Sequence, residues 1–233
     1  FYYVQAYNYR GWLSKFDVAE TDRSTWLRYA EPKNFLTVVA KDYTLKADGA
    51  QVLFQQGARL QLADKKASAY TVKVPVRTKE GKLQEEKVVL AANASLHEGY
   101  LPYTTNNIIR SAFKFYDSVY GWGGLQQSVD CSSFISNAYR TVGIFLPRNA
   151  DEQETSAGIH KKMGNMNSAQ RANVIKGLTP GSTLHMDGHV MLYLGSSNEI
   201  PYAIHSLGSH YTGGTRHSVC LLYTSPSPRD RTR

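Results

Sequence analysis

Residues 120–143 read YGWGGLQQSVDCSSFISNAYRTVG, and this stretch decides the fold of the chain. A glycine-rich loop comes first, and an amphipathic pattern begins at Cys131. Apolar residues recur at the spacing of one helical face from Phe134 onward, and Gly143 is placed to end the helix. The stretch therefore predicts a helix that begins at a cysteine.

A thiol at the start of a helix has distinctive chemistry. The positive end of the helix dipole and the free backbone N–H groups both favour the thiolate. The same N–H groups can hold an oxyanion when the thiolate attacks a carbonyl. We therefore expect Cys131 to be a nucleophile that reacts at a pH well below about 8.5, the ordinary pKa of a thiol. A buried, inert thiol is the alternative interpretation.

A cysteine nucleophile needs a base, usually a histidine that a third polar group holds in place. His189 opens a predicted strand that ends at Gly195, and His205 lies near the end of the next predicted strand. If the strands pair as a hairpin, the two imidazoles are neighbours in one cleft. We predict that His189 takes the thiol proton and that His205 orients it. His210 and His217 are the alternatives for the third position.

No metal or other cofactor is expected. His185 and His189 have the i, i+4 spacing of a metal pair, but Pro180-Gly181 and Gly188 argue against a helix there. His185 is instead predicted to lie on the surface. The cysteines, Cys131 and Cys220, form neither a disulfide framework nor a CxxC pair.

Helices come before strands in the second half of the chain, which predicts an α+β arrangement. Thr104 or Thr105 can cap the first helix of this half. Its predicted apolar face carries Ile108, Ile109, Ala112, Phe113 and Tyr116.

The first 95 or so residues predict small β-barrels, because short strands alternate with tight turns. Phe35 to Ala40 is a compact strand, two strands flank Gly57, and a hairpin turns at residues 79–82. Trp12 and Trp26 are expected in barrel cores, and Trp122 in a core or a cleft wall.

The composition limits the partners. The 233 residues carry a formal net charge of +8, which favours anionic partners such as a bacterial wall. The basic residues are scattered rather than clustered, so nucleic-acid binding is not expected. The sequence contains no apolar run long enough to span a bilayer.

A series of motifs in the second half resembles the NlpC/P60 family. YGWGG is followed by CSSF at Cys131, LPR with a nearby Gln153, GHVMLYLG at His189 and IHS at His205. The resemblance covers about residues 99–210 and implies a papain-like α+β core with a cysteine peptidase triad of Cys131, His189 and His205.

The resemblance also implies substrate-binding residues. Tyr120 aligns with a tyrosine that lines the family's site, and Asp130 and Ser132 align with residues that grip the free amino end of the substrate. Ser133 stands where many members have glycine, and residues 149–150 depart from the usual pattern.

By resemblance, the chain divides into four parts. Residues 1–34 look like the C-terminal part of a truncated bacterial SH3 domain, 35–98 like a second one, and 99–219 like the catalytic domain. Residues 220–233 form a non-native tail, in which the run CLLYTSPSPRD resembles a translated sequencing adapter.

The layout resembles that of γ-D-glutamyl-diamino acid endopeptidases. These act on peptidoglycan (murein) peptides with a free N-terminal L-Ala, the diamino acid being diaminopimelate or Lys. We then expect an extracytoplasmic monomer (periplasmic, secreted or in the cell wall) whose signal peptide was lost with the truncated N-terminus. The alternatives are a non-catalytic wall-binding protein, and an acyltransferase or amidase on the same fold.

Overall fold

The computed structural model describes residues 1–218 and 222–224, which divide into two compact units. The first unit is Phe1–Tyr103 with Tyr139–Phe145, and the second is Thr104–Ala138 with the chain from Leu146 onward. Among the described residues, no helix is both long and apolar enough to cross a membrane. The predicted tail lies outside the described residues except for residues 222–224.

Short antiparallel strands make up most of the first unit, as the turn pattern predicts. In chain order its elements are β1 (Tyr2–Gln5), β2 (Arg10–Leu13), α1 (Arg23–Ala30), β3 (Phe35–Val38), β4 (Asp42–Ala47), β5 (Ala50–Gln55), β6 (Arg59–Lys66), β7 (Ala69–Arg77), β8 (Leu83–Ala91) and β9 (Leu96–Glu98). The strand at Phe35, the strands flanking Gly57 and the hairpin around residues 79–82 are confirmed.

The core of the first unit lies within one antiparallel sheet and the hairpin beside it. The sheet order is β8-β7-β6-β3-β9, and β4 pairs with β5. Buried side chains from these strands, including Leu36, Val38, Leu60 and Val72, form one hydrophobic cluster. The assignment of this part of the chain to bacterial SH3 domains stays a prediction.

The expectation that Trp12 and Trp26 lie in barrel cores is wrong. Trp12 is 68% exposed and packs against Tyr3 across the β1–β2 hairpin, with ring centroids 5.3 Å apart. Trp26 is 56% exposed on α1, which buries none of its residues. A hairpin that forms its own sheet and a short polar helix cover too little surface to bury a large ring.

Helices precede the main sheet in the second unit, as predicted. Its elements are α2 (Thr105–Phe113), a 3-10 helix (Trp122–Gln127), α3 (Cys131–Arg140), α4 (Ala150–Glu154), α5 (Ser168–Lys176), β10 (Thr183–Met186), β11 (His189–Ser197), β12 (Ile200–His205), β13 (Ser209–Thr212), β14 (Thr215–Ser218) and β15 (Leu222–Thr224). The last residues of α3 belong to the first unit. Thr104 caps α2 by accepting a hydrogen bond from the Asn107 N–H at 3.3 Å. The main sheet has the antiparallel order β10-β11-β12-β15.

The predicted apolar face of α2 is only half correct. Ile108 and Ala112 are buried, whereas Phe113 and Tyr116 are exposed and stack on each other. Because α2 ends at Phe113, Tyr116 no longer follows the helical period. Phe115 is buried instead of Phe113 and Tyr116, and its ring packs edge to face against the Phe134 ring of α3.

The β7–β8 hairpin offers a matched test of the core of the first unit. Val72 is 0% exposed, whereas Val89 on the neighbouring strand is 69% exposed. We expect Val72→Ala to lower the free energy of unfolding by about 2 kcal/mol, because it leaves a cavity. Val89→Ala should cost less than about 1 kcal/mol. Urea unfolding followed by circular dichroism measures both, and equal losses would contradict the assignment of the core.

Candidate active site

The start of α3 holds Cys131 at its first helical position, as the sequence predicts. Asp130 precedes it and caps the helix, because its Oδ1 accepts a hydrogen bond from the Ser133 N–H at 2.9 Å. In return, the Ser133 Oγ accepts one from the Asp130 N–H at 2.9 Å. This reciprocal cap fixes the thiol at the end of the helix where backbone N–H groups are free of intrahelical partners.

The glycine-rich loop folds back onto this helix start. A Cβ at residue 121 would lie 2.2 Å from the Leu125 carbonyl oxygen, so the loop requires Gly121. Gly123 has a φ of +62° and donates its N–H to the Asp130 Oδ2 at 3.2 Å. Tyr120 pairs with Val129 in an isolated parallel bridge. The loop therefore brings Tyr120 and Gly123 to the residues just before the cysteine.

Arg148 forms an ion pair with the buried Asp130 carboxylate. Its guanidinium donates to both carboxylate oxygens, at 3.1 Å to Oδ1 and 2.6 Å to Oδ2, and to the Ser132 Oγ at 3.0 Å. Burial alone would raise the pKa of Asp130, but the hydrogen bonds from Arg148 and Ser133 outweigh it and lower that pKa. Asp130 is therefore ionised and paired at neutral pH.

Gln153 on α4 holds the same helix start from another side. Its buried amide nitrogen lies 3.0 Å from the Ser132 carbonyl oxygen, 2.9 Å from the Ser136 Oγ and 2.8 Å from the Pro147 carbonyl oxygen. These contacts tie the segment that carries Arg148 to the first turn of α3.

The predicted hairpin between β11 and β12 is confirmed, and it brings two imidazoles together. Leu192 pairs with Ile204, so His189 and His205 are diagonal neighbours on one face of the sheet. The His189 Nε2 lies 2.8 Å from the His205 Nδ1. The backbone positions of His210 and His217 instead lie opposite each other in the β13–β14 hairpin, which forms a separate sheet.

The thiol lies beside the peptide that follows His189. Cys131 is buried, and the Val190 N–H lies close enough to the thiol to lower its pKa. Because the His189 Nε2 is engaged with His205, the Nδ1 is the ring nitrogen left to accept a proton.

The expected low pKa of the thiol is contradicted. Burial raises the pKa of Cys131, and the charge of Asp130 raises it further, although the N–H groups of Val190 and the helix start act in the opposite direction. Burial also lowers the pKa of His189 to about 4. The resting site therefore holds a neutral thiol and a neutral imidazole.

The residues predicted to contact substrate gather around the thiol. Burial raises the pKa of Tyr120, and the charges of Cys131 and Asp130 raise it further, which shows that the three groups are close. The backbone of Gly208, shortly after His205, lies against the Tyr120 ring. Ser132 is buried at the second position of α3.

The structure also tests the predictions made for His185 and Trp122. His185 is half-buried rather than on the surface, and burial lowers its pKa. It lies on β10, next to the strand of His189, so the two do not share a helix, as predicted. Trp122 is 63% exposed and is not a core residue. Among the described residues, no group of three or more His, Cys, Asp or Glu side chains could hold a metal ion.

Sequence reasoning missed residues that support the site. Arg148 and Gln153 appeared there only as parts of a motif, and Ser133 only as a departure from one. Ser206 was not considered, yet its buried hydroxyl donates to the Val129 carbonyl oxygen at 2.9 Å. The sequence offered one signal, since Asp130 and Ser133 have the spacing of a capping box.

In chemical terms, the arrangement can support attack by a thiol on a carbonyl. It combines a thiol at a helix start, a neutral imidazole that can accept its proton, and a second imidazole that orients the first. These groups lie on α3, β11 and β12 of an α+β unit.

The comparisons with known proteins agree with this layout. Residues 117–213 match the NlpC/P60 family, and most of these residues lie in the second unit. No curated protein matches the chain.

Two solved structures share the fold. An NlpC/P60 endopeptidase from Photobacterium damselae subsp. piscicida has a TM-score of 0.72 at 21% identity, over 93% of this chain and 52% of that one. An NlpC/P60 family protein from Bacillus cereus ATCC 10987 has a TM-score of 0.55 at 17% identity, over 82% of this chain and 58% of that one. The chain thus spans just over half the length of each neighbour, and these similarities support the predicted papain-like NlpC/P60 fold.

The raised pKa of Cys131 predicts the pH dependence of its alkylation. Since the neutral thiol dominates below its pKa, we expect the rate of iodoacetamide incorporation to rise with a midpoint above about 8.5, the value of a free cysteine. The rate should be measured by mass spectrometry in a Cys220→Ser background, with Cys131→Ala as the blank. A midpoint below about 7 would show that a thiolate is already present at rest.

Proposed function

We propose that this protein is a cysteine peptidase that hydrolyses peptidoglycan peptides at the bond between γ-D-Glu and a diamino acid. The observation that carries the proposal is the contact of 2.8 Å between the imidazoles of His189 and His205. The Val190 N–H, which directly follows His189, lies close enough to Cys131 to lower the pKa of its thiol. The NlpC/P60 match over residues 117–213 supports the choice of a wall peptide as substrate.

The first step is attack by Cys131 on the carbonyl carbon of the scissile amide. The His189 Nδ1 takes the thiol proton as the C–S bond forms. Free N–H groups at the start of α3 stabilise the negative charge that develops on the carbonyl oxygen. His189 then gives its proton to the leaving amine, and a water molecule, activated by the same imidazole, releases the acyl group and restores the thiol.

His205 fixes the tautomer of His189. For the Nδ1 of His189 to accept a proton, its Nε2 must carry one and donate it to the His205 Nδ1. This hydrogen bond strengthens when His189 becomes an imidazolium, because a charged donor bonds more strongly than a neutral one. The His205 Nδ1, as the acceptor of this bond, is therefore suited to orient the base and to stabilise its charged form.

Substrate recognition is proposed for Tyr120, Asp130 and Ser132, which lie around the thiol. By resemblance they hold the free amino end of L-Ala in the wall peptide. The net charge of +8 suits an anionic wall. A wall substrate places the protein outside the cytoplasm, where we expect it to act as a monomer.

Hydrolysis of L-Ala-γ-D-Glu-diaminopimelate tests the reaction. We expect release of free diaminopimelate, and a loss of at least about a thousandfold in kcat/KM for Cys131→Ala, because the nucleophile is absent. Cys220→Ser is the matched control and should keep full activity. A Cys131→Ala protein that retains activity, or a wild-type protein that releases no diaminopimelate, would refute the proposal. The second outcome would favour a wall-binding protein or a different acyl transfer.

N-acetylation of the L-Ala residue tests amine recognition. We expect the acetylated tripeptide to be cleaved about tenfold more slowly, since it lacks a charged donor for Asp130 and Ser132. The ratio of the two rates should approach one in Asp130→Asn, and using the ratio cancels any general loss of activity in that variant. Equal rates for both peptides in the wild type would show that Asp130 and Ser132 do not bind the amine.

A further inference from the structure

The proposed chemistry leaves the Arg148 ion pair without a role. Arg148 follows Pro147 and precedes α4, outside the elements that carry the thiol and the imidazoles. Its side chain is 22% exposed and that of Asp130 is 10% exposed, with 2.6 Å between their closest atoms. Removing one partner of a largely buried ion pair leaves the other charge uncompensated, and this pair lies directly before Cys131.

We infer that Arg148 is a positioning residue for Cys131: it holds Asp130 and Ser132 around the thiol and cancels the charge of the Asp130 carboxylate there. This inference rests on the proposed role of Cys131 as nucleophile. Arg148 itself makes no contact with the reacting atoms in this assignment.

The charge argument follows from where Asp130 lies. It is the residue before the nucleophile, and its ionised carboxylate disfavours the thiolate that must form during attack. The Arg148 guanidinium brings an equal and opposite charge to the same two oxygens. The titratable groups around the thiol are then Tyr120, which burial keeps protonated, and the neutral His189 with its partner His205. The ion pair therefore opposes the charge of the Asp130 carboxylate at the start of α3.

The geometric argument concerns the first turn of α3. Besides the two carboxylate oxygens, Arg148 reaches the Ser132 Oγ at 3.0 Å. Ser132 directly follows the thiol, and Gln153 holds its carbonyl oxygen. The backbone N–H groups proposed to hold the oxyanion are thus fixed by contacts from the segment between Pro147 and Gln153.

A lysine could supply the charge but not this geometry. A guanidinium binds a carboxylate through two parallel hydrogen bonds, whereas an ammonium acts as a point charge. Arg148→Lys therefore keeps the positive charge and loses the paired hydrogen bonds, which separates the charge from the geometry. Arg148→Met removes both while keeping a long apolar side chain.

The test is the pH dependence of Cys131 alkylation in a Cys220→Ser background, which needs no substrate. We expect Arg148→Met to raise the midpoint by about one pH unit, because the Asp130 charge is no longer cancelled. Asp130→Asn should lower it by about one unit, since Arg148 is then unpaired. The double variant should return close to the wild-type midpoint, and Arg148→Lys should stay close to it. Circular dichroism checks that each variant is folded.

Two results would overturn the inference. One is a midpoint that does not move in either single variant, and the other is a double variant that keeps the shift of Arg148→Met. If Arg148→Met alone does not fold, Asp130→Asn and the double variant decide the question, since the charge argument requires their midpoints to differ by about one unit.

Hydrolysis of the tripeptide tests the geometric part. We expect Arg148→Lys to lower kcat about tenfold with little change in the alkylation midpoint. An unchanged kcat would show that the geometry of the Arg148 hydrogen bonds does not matter for the reaction. A wild-type protein without hydrolytic activity would refute the proposed function, while the alkylation midpoints would still decide whether Arg148 sets the charge beside Cys131.

Discussion

A buried carboxylate at the start of α3 is the constraint on which the rest of the site depends. An ionised group removed from water is costly unless hydrogen bonds and an opposite charge replace the solvent. Asp130 obtains them from the glycine loop through Gly123, from the helix through Ser133, and from the following segment through Arg148. Because these donors lie on different parts of the chain, satisfying one carboxylate fixes all of them around Cys131.

The second half of the site depends on strand register. His189 and His205 face each other because Leu192 pairs with Ile204, and a shift of one residue would move one imidazole to the other face of the sheet. Residues on both faces of these strands are buried, with Val190 on one face and Ala203 on the other. The Val190 N–H, which lowers the pKa of Cys131, belongs to the same strand, so the register also sets the place of the proposed base relative to the proposed nucleophile.

Local signals made part of this arrangement predictable from the sequence. Gly143 and the apolar spacing gave the extent of α3, and the hairpin that joins His189 to His205 follows from two short apolar strands. Helices α4 and α5 were missed because their apolar periods are weak, although Asn167 and Gln170 form a capping box at the start of α5.

The exposure of Trp12 and the pairing of Arg148 with Asp130 depend on contacts between distant parts of the chain, which no local pattern contains. The raised pKa of Cys131 depends on burial in the same way, and it outweighs the helix effect that the sequence suggested.

The opposite shifts of Cys131 and His189 have a common cause and a mechanistic consequence. Burial favours the uncharged form of both groups, so the resting site contains a thiol and an imidazole rather than an ion pair. In the proposed mechanism, Arg148 offsets the charge of Asp130, and new charge develops as the thiol attacks and its proton moves to His189. The groups placed to stabilise that charge are the His205 ring behind the imidazole and the backbone N–H groups at the start of α3. The site therefore depends on fixed dipoles that act on charges formed during the reaction, and this is why the contacts that hold the first turn of α3 matter as much as the nucleophile itself.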